Sequence, residues 1–377
     1  MASARPWNNP HVQTLVGYLT RPKASPYRRR ERVVLPDGDF IDVDDTLEAR
    51  PEPVGPIAIV LHGLEGSSGS GYARLVSTLL HGRGARVFAL NFRSCSGEPN
   101  LRPRLYHSGD TADFAYLLEH LHGRFPSRSF VAVGFSLGGN VLLKYLGERG
   151  DASGLARAAA VSVPFNLGVS AHALAQGFTE LYSRTLLRSL QAKVRGRIAE
   201  LKPHCDPERG LKARNFWEFD DAVTGPLHGF QGAADYFTRA SSGPFISRIR
   251  TPTLLFQAAD DPFVPARTIP WAAAHASGCV TLDVRAHGGH VGFVGDAPWR
   301  NVDAFVAEPA TAEFLVPGRP SLSPTVASAP PARPRPPPAI HPRRPPRSTT
   351  SWWAKRPARA MWRWPRPARR RPRVAWR

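Results

Sequence analysis

Residues 130–140 read Phe-Val-Ala-Val-Gly-Phe-Ser-Leu-Gly-Gly-Asn and carry the spacing Gly-x-Ser-x-Gly at Gly134, Ser136 and Gly138. Glycines two residues either side of a serine permit a sharp strand-to-helix turn that lifts the hydroxyl above the edge of a sheet. The helix that follows aims free N–H groups and a partial positive charge at the same point. A serine hydroxyl is a weak nucleophile without a base. A histidine and an orienting acid must therefore accompany it, in the chain order Ser, Asp or Glu, His. The apolar run 253–256 leads into Gln257-Ala258-Ala259-Asp260-Asp261-Pro262-Phe263-Val264-Pro265. Asp261 opens an Asp-x-x-x-Pro turn and is the chosen acid, with Asp260 as the alternative. The run 280–284 leads into Ala286-His287-Gly288-Gly289-His290. His290, after two glycines on a late loop, is the chosen base, with His287 as its competitor.

A second group of residues fits the same chemistry. His62-Gly63-Leu64-Glu65-Gly66 closes an earlier apolar run, where a loop stabilising a developing oxyanion belongs. The backbone N–H groups of Leu64 and Leu137 are the expected donors, and one such donor typically contributes about 3 kcal/mol. A phosphate-binding loop is the rival reading of residues 63–71. It would need Gly-Lys-Ser/Thr, which is missing, and the glycine spacing does not match Gly-x-Gly-x-x-Gly.

The elements that must hold these loops can be read from periodicity. Residues 33–35 and 40–43 flank Pro36-Asp37-Gly38-Asp39, a hairpin with an Asp-Gly turn. The short apolar runs 57–61, 87–92, 130–133 and 158–163 predict strands buried on both faces. Between them, Tyr72, Leu75, Val76, Leu79 and Leu80 predict one helix, Phe114, Leu117, Leu118 and Leu121 a second, and residues 141–146 a third. The alternation resumes with strands 253–256 and 280–284, a helix near 269–275 and a last helix near 302–306. The pattern predicts an α/β fold with a mainly parallel sheet flanked by helices. It divides into an N-terminal arm (1–30), a hydrolase-type domain (31–316) with a helical cap inserted at about 164–249, and a disordered tail (317–377). Within the cap, Leu186, Leu187, Leu190, Val194, Ile198 and Leu201 keep helical spacing. Arg184, Arg188, Lys193, Arg195 and Arg197 among them read as a solvated face.

Charge separates the tail from the rest. Of the formal +20, residues 317–377 hold +16, with 16 of 38 prolines, five of nine tryptophans and no acid; the first 316 residues carry 34 basic and 30 acidic side chains. A strongly basic catalytic body is thereby excluded. Proline at that density forbids regular pairing, so the tail has no fold of its own. It offers the one route to nucleic acid or an acidic membrane surface, although its Arg/Pro/Ala composition better suits an unselected extension. Cys95, Cys205 and Cys279 form no CxxC and, being odd in number, no closed disulfide framework, which suits a cytoplasmic location. No apolar stretch is long enough to span a bilayer. Asp220-Asp221 lacks a His or Glu cluster, so neither a metal nor a cofactor is expected. Phe165, Leu174, Phe178, Leu181, Tyr182, Phe216, Trp217 and Phe219 could cover an acyl chain over the serine, though most of them serve to pack the cap.

Over residues 5–307 the sequence resembles the YheT-like (medium-chain-esterase-like, ABHD1/ABHD3-type) branch of the α/β-hydrolases, which includes yeast ester-forming enzymes. The resemblance rests on ordered motifs: Asn9-Pro10-His11-Val12-Gln13-Thr14, Asp37-Gly38-Asp39-Phe40, His62-Gly63-Leu64-Glu65-Gly66-Ser67-Ser68, Asn91-Phe92-Arg93-Ser94-Cys95-Ser96-Gly97 and Tyr106-His107-Ser108-Gly109. It continues through residues 134–140, Phe219-Asp220-Asp221, Gly229-Phe230, Asp235-Tyr236, Asp260-Asp261-Pro262 and residues 288–293. It implies Ser136, Asp261 and His290 as the charge relay, and carboxylic-ester hydrolysis as the activity on a small-molecule ester with an apolar acyl chain. The N-terminal membrane segment of the family's membrane-bound eukaryotic members is missing here, so the resemblance implies a soluble form. Arg93-Ser94-Cys95 departs from the usual Arg-Gly-Cys. An acyltransferase using the same triad, and a non-enzymatic binder acting through the tail, are the competing expectations. Oligomeric state is not legible.

Overall fold

Five consecutive apolar residues, Ile57–Leu61, are fully buried because they form the centre of an eight-stranded sheet. In the computed structural model, residues 8–48, 55–295 and 304–318 are described. They belong to a unit spanning Met1–Thr325; the second unit, Val326–Arg377, lies outside the described residues, as does almost all of the tail expected to be disordered.

The strands are β1 (Arg29–Val34), β2 (Phe40–Asp45), β3 (Ile57–Leu61), β4 (Arg86–Asn91), β5 (Phe130–Phe135), β6 (Arg157–Val161), β7 (Thr253–Ala258) and β8 (Val280–Arg285). Their order is β1-β2-β4-β3-β5-β6-β7-β8, antiparallel at the β1–β2 and β2–β4 contacts and parallel from β4 to β8. β4 lies to one side of β3, and β5 to the other. The chain therefore reverses its direction of build between β3 and β5, and the loops leaving two such strands open a crevice. Those loops begin at His62 and at Ser136.

Alternation along the strands sends side chains to opposite faces. Ile57, Ile59 and Leu61 pack with α3 (Ala112–Arg124) and α4 (Leu137–Arg149) through Phe114, Leu117, Val141 and Leu142. Ala58 and Val60 face the other way, onto Val76 and Leu80 of α2 (Gly71–Gly82) and Ala312 and Leu315 of α13 (Ala307–Leu315). Three buried aspartates on β2 are matched by the facing β1 arginines, Arg29 on Asp45, Arg30 on Asp44 and Arg32 on Asp42, so this edge tolerates charges inside.

Between β6 and β7 the chain leaves the sheet for α5 (Leu167–Leu174), α6 (Thr179–Arg195), the short α7 (Ile198–Leu201), α8 (Pro207–Lys212), α9 (Phe216–Phe219) and α10 (Gly225–Leu227), and α11 (Ala233–Ala240). This insertion has its own core, built on Leu187, Leu190, Val194, Phe219, Val223 and Phe237. A π-turn over Asp220–Thr224 joins α9 to α10. α12 (Trp271–Ser277) precedes β8.

Three local readings are corrected. The N-terminal arm holds a helix, α1 (Pro10–Thr20), capped by Asn9, whose side chain accepts the His11 and Val12 N–H groups. The helical spacing read continuously through Val194, Ile198 and Leu201 is broken at Gly196 and Arg197. The last described helix is Ala307–Leu315, later than the expected 302–306: Phe305 pairs with Val294 in an isolated bridge, and residues 302–303 lie outside the described residues.

Candidate active site

Ser136 sits between β5 and α4 at φ +50°, ψ −116°, a conformation that costs roughly 1–3 kcal/mol for a side-chain-bearing residue. Its own N–H donates to Val161 O of the neighbouring strand at 2.8 Å. The glycines around it are there because backbone fills their side-chain space. A Cβ on Gly134 would strike Gly138 O, and one on Gly138 would lie 2.5 Å from His62 O and 2.6 Å from Leu61 O. The serine turn is thus wedged against the end of β3. Asn140, fully buried, donates to Ser108 O and Ala240 O and accepts from Ser242 N–H, tying the start of α4 to the insertion's exit.

Ser136, His290 and Asp261 come together in one chain of hydrogen bonds. The Ser136 Oγ lies 2.9 Å from His290 Nε2, and His290 Nδ1 lies 2.9 and 3.1 Å from the two Asp261 oxygens. Asp261 Oδ1 also accepts the N–H groups of Phe263 at 2.8 Å and Val264 at 3.2 Å. Burial raises the Asp261 pKa above the usual carboxylate value, against the opposing pull of His290 and those two N–H donors. The alternatives named from sequence find each other instead. Asp260 Oδ2 meets His287 Nδ1 at 3.1 Å, while Asp260 Oδ1 accepts the N–H groups of Gly288 and Gly289 at 3.0 Å each. One aspartate therefore faces the His290 ring, and its neighbour ties down the backbone that carries it.

The loop after β3 passes beside the serine, with the Cβ position of Gly63 3.3 Å from Ser136 Cβ. The N–H of Gly63 donates to Tyr72 OH at 2.9 Å and that of Glu65 to Tyr106 OH at 2.7 Å. Between them, Leu64 N–H has no acceptor among the described residues. Leu137, first residue of α4, has an N–H with no partner inside its helix. His62 is buried, its Nδ1 2.7 Å from Gly63 O and its Nε2 accepting Phe92 N–H at 3.1 Å. Only the neutral ring with the proton on Nδ1 can make both bonds, and burial lowers its pKa to about 4.

Several residues for which the sequence predicts no supporting role hold the site in place. From α1, Thr14 Oγ1 accepts His290 N–H at 2.9 Å, and Gln13 exchanges two hydrogen bonds with the Val294 backbone. Arg21, just after α1, donates to Val291 O and is paired with Glu308. The Asn9-Pro10 pair is a helix-start signal that locates this support. Phe263 stacks on the His290 ring at 4.2 Å between centroids, and Tyr182 of α6 packs against Phe263 at 5.2 Å. Lys193, read as part of a solvated face, instead donates to Glu65 Oε1 at 2.7 Å. Ser94 takes φ +59°, the left-handed region, which explains why glycine is usual at this position; here its hydroxyl accepts Asn100 N–H at 3.1 Å.

Of the apolar insertion residues, Phe165, Phe216 and Phe219 are buried in packing, while Phe178, Leu181 and Trp217 are exposed. Phe165, Val169, Trp217 and Phe237 line a groove of about 680 Å³, to which none of Ser136, Asp261 and His290 contributes. Asp220 is bonded by Thr224, and Asp221 pairs with Arg209. Among the described residues no group of three or more metal-ligating side chains is present, and no helix is long and apolar enough to cross a membrane.

The alpha/beta hydrolase fold family matches residues 56–297. The Escherichia coli (strain K12) protein YheT is 38% identical over 296 residues, covering 77% of this chain and 86% of that one. Human phospholipase ABHD3 is 31% identical over 288 residues, covering 75% and 70%. The Saccharomyces cerevisiae monoacylglycerol lipase is 34% identical over 292 residues, covering 75% and 62%. On this sheet, this serine turn and these similarities, the chain belongs to the alpha/beta hydrolase fold family, in the branch of YheT and ABHD3.

Proposed function

We propose that this protein hydrolyses carboxylic esters through an acyl-enzyme on Ser136. The observation that carries the reading is the hydrogen-bonded path Ser136–His290–Asp261, at 2.9 Å on each link, ending in a carboxylate that is fully buried at its side chain. Ser136 Oγ attacks the ester carbonyl while His290 Nε2 takes its proton. Asp261 holds Nδ1–H toward itself, which keeps Nε2 free as the base and stabilises the imidazolium as it forms. The N–H groups of Leu64 and Leu137 receive the oxyanion, the imidazolium protonates the departing alcohol, and water repeats the sequence to release the acid.

The names of the related phospholipase and monoacylglycerol lipase support an ester whose acyl part is a fatty chain. A short to medium apolar chain is the expected acyl part, since each methylene buried on binding contributes about 0.8 kcal/mol. Intact-mass analysis after a fluorophosphonate probe tests the reading. A single adduct on the wild type, lost in Ser136→Ala, is the expected result and is followed by a chain-length panel of nitrophenyl esters. A folded wild type that takes no adduct and cleaves no ester overturns it.

A further inference from the structure

A second cavity, of about 660 Å³, opens where β1 meets the N-terminal end of α2. Arg28, Arg29, Arg30 and Arg74 line it against a single carboxylate, Asp44. That carboxylate is already spent. Arg30 forks onto both its oxygens at 2.9 Å, Asn91 donates to it at 3.0 Å and Ser68 donates its hydroxyl. Arg29 is likewise held, by Glu31 and Asp45 at 3.0 Å each.

Arg28 and Arg74 have no acidic partner among the described residues, and the Arg74 Nε is buried without any acceptor. Leaving such a donor unmade is costly, more so when it is charged. Arg74 is also the fourth residue of α2, a helix with no acid in its first turn and no side-chain bond from its cap residue Ser70. A cation there opposes the positive end of the helix dipole, and an anion beside the Arg74 guanidinium would relieve that opposition. Ser25 and Ser67 line the same cavity. Ser67 Oγ and Ser25 Oγ each accept a backbone N–H, from Gly69 and Tyr27, and their own protons have no acceptor among the described residues.

We infer that this cavity binds a phosphate group between Arg28 and Arg74, with the Ser67 hydroxyl as a further donor. Planar guanidinium forks and hydroxyls match phosphate oxygens, and the volume exceeds a bare ion, so the ligand is a phosphorylated organic molecule or a phospholipid headgroup. The site is separate from Ser136 but shares a loop with it. The loop that passes the serine at Gly63 forms the cavity wall at residues 67–69.

The test uses the full chain and an Arg28→Gln/Arg74→Gln variant, so that the basic tail is common to both. Each is titrated at constant ionic strength with inorganic phosphate, with glycerol 3-phosphate, and with vesicles containing phosphatidylglycerol, and the thermal midpoint is followed. The wild type is expected to rise with phosphate or glycerol 3-phosphate, with an affinity about tenfold or more above that of the variant. A variant-sensitive response to vesicles alone assigns the phosphate to a lipid headgroup. Equal responses in the two proteins, or no response to any probe, overturn the inference. The variant's midpoint without ligand reports folding, and the exposed Arg28→Gln alone serves as the second variant. Fluorophosphonate labelling of Ser136 is expected to be unchanged in both, which separates this site from the hydrolytic reading.

Discussion

Lys193, in the last turn of α6, and Glu65, in the loop after β3, are joined across 128 residues of sequence by a 2.7 Å ion pair. The Glu65 side chain is 4% exposed and that of Lys193 19%, so the pair is largely removed from water. Tyr106 OH and the Ser189 hydroxyl also donate to Glu65. Glu65 takes φ +53°, and the preceding N–H is that of Leu64. The insertion thereby holds the proposed oxyanion donor in place. Lys193→Met leaves the buried carboxylate without its counter-charge and is expected to lower stability by about 2 kcal/mol or more, and kcat about tenfold with little change in KM. In a double-mutant cycle, Glu65→Gln/Lys193→Met should cost clearly less than the sum of the single changes. Strict additivity would show that the two side chains act independently.

α1 holds the backbone of the proposed base, His290. Thr14 Oγ1 is the acceptor for His290 N–H, and Thr14→Val keeps the shape while removing it. The stranded N–H costs about 1–3 kcal/mol, part of it recovered by movement of the loop. That movement carries the imidazole off the serine. The fluorophosphonate labelling rate is expected to fall about tenfold, while Thr20→Val, whose hydroxyl bonds only within α1 to Val16 O, leaves it unchanged. Equal rates for the two variants would deny α1 a role at the site.

The legibility of these features follows from the range of the forces involved. The serine turn is readable because Gly134, Ser136 and Gly138 act within five residues, and the central strands because burial on both faces leaves unbroken apolar runs. Asp261 and Asp260 are harder to separate from sequence, since each is an acid at the end of β7; their partners 27–29 residues away divide them. α1 is silent to periodicity because its buried positions are Gln13 and Gly17, followed by the buried Arg21, which use hydrogen bonds and close backbone approach. The Lys193–Glu65 pair has no local signature at all. A cation on an amphipathic helix looks the same whether water or a distant carboxylate faces it.

Gly138 tests whether the wedge between the serine turn and β3 is needed. Its missing Cβ would press on Leu61 O and His62 O, backbone atoms that cannot rotate away. Gly138→Ala should cost about 1–3 kcal/mol in urea unfolding and abolish Ser136 labelling, because the strain falls on the turn itself. Gly82→Ala at the end of α2 meets nothing within 4 Å and is the matched control, expected to be neutral or slightly stabilising. If Gly138→Ala labelled normally, the glycine would be incidental to the turn.

Asp220 makes the strongest claim about pH. It is buried within the π-turn of the insertion, accepts the Thr224 hydroxyl at 2.5 Å, and has its pKa pushed up by burial from 3.8 to about 7. A carboxyl whose folded pKa is raised is fully stabilising only below the unfolded value. Above that the unfolded chain ionises first, and stability drains away as pH rises from about 4 through about 7. The difference between the folded and unfolded values corresponds to roughly 4 kcal/mol at most. Asn at this position imitates the protonated acid and can still accept the Thr224 hydroxyl. Asp220→Asn is therefore expected to match the wild type in urea unfolding at about pH 4 and to exceed it by roughly 2–4 kcal/mol at about pH 8. A constant difference at both pH values would mean that the carboxyl is ionised in the folded protein throughout, with its charge compensated by something other than Thr224.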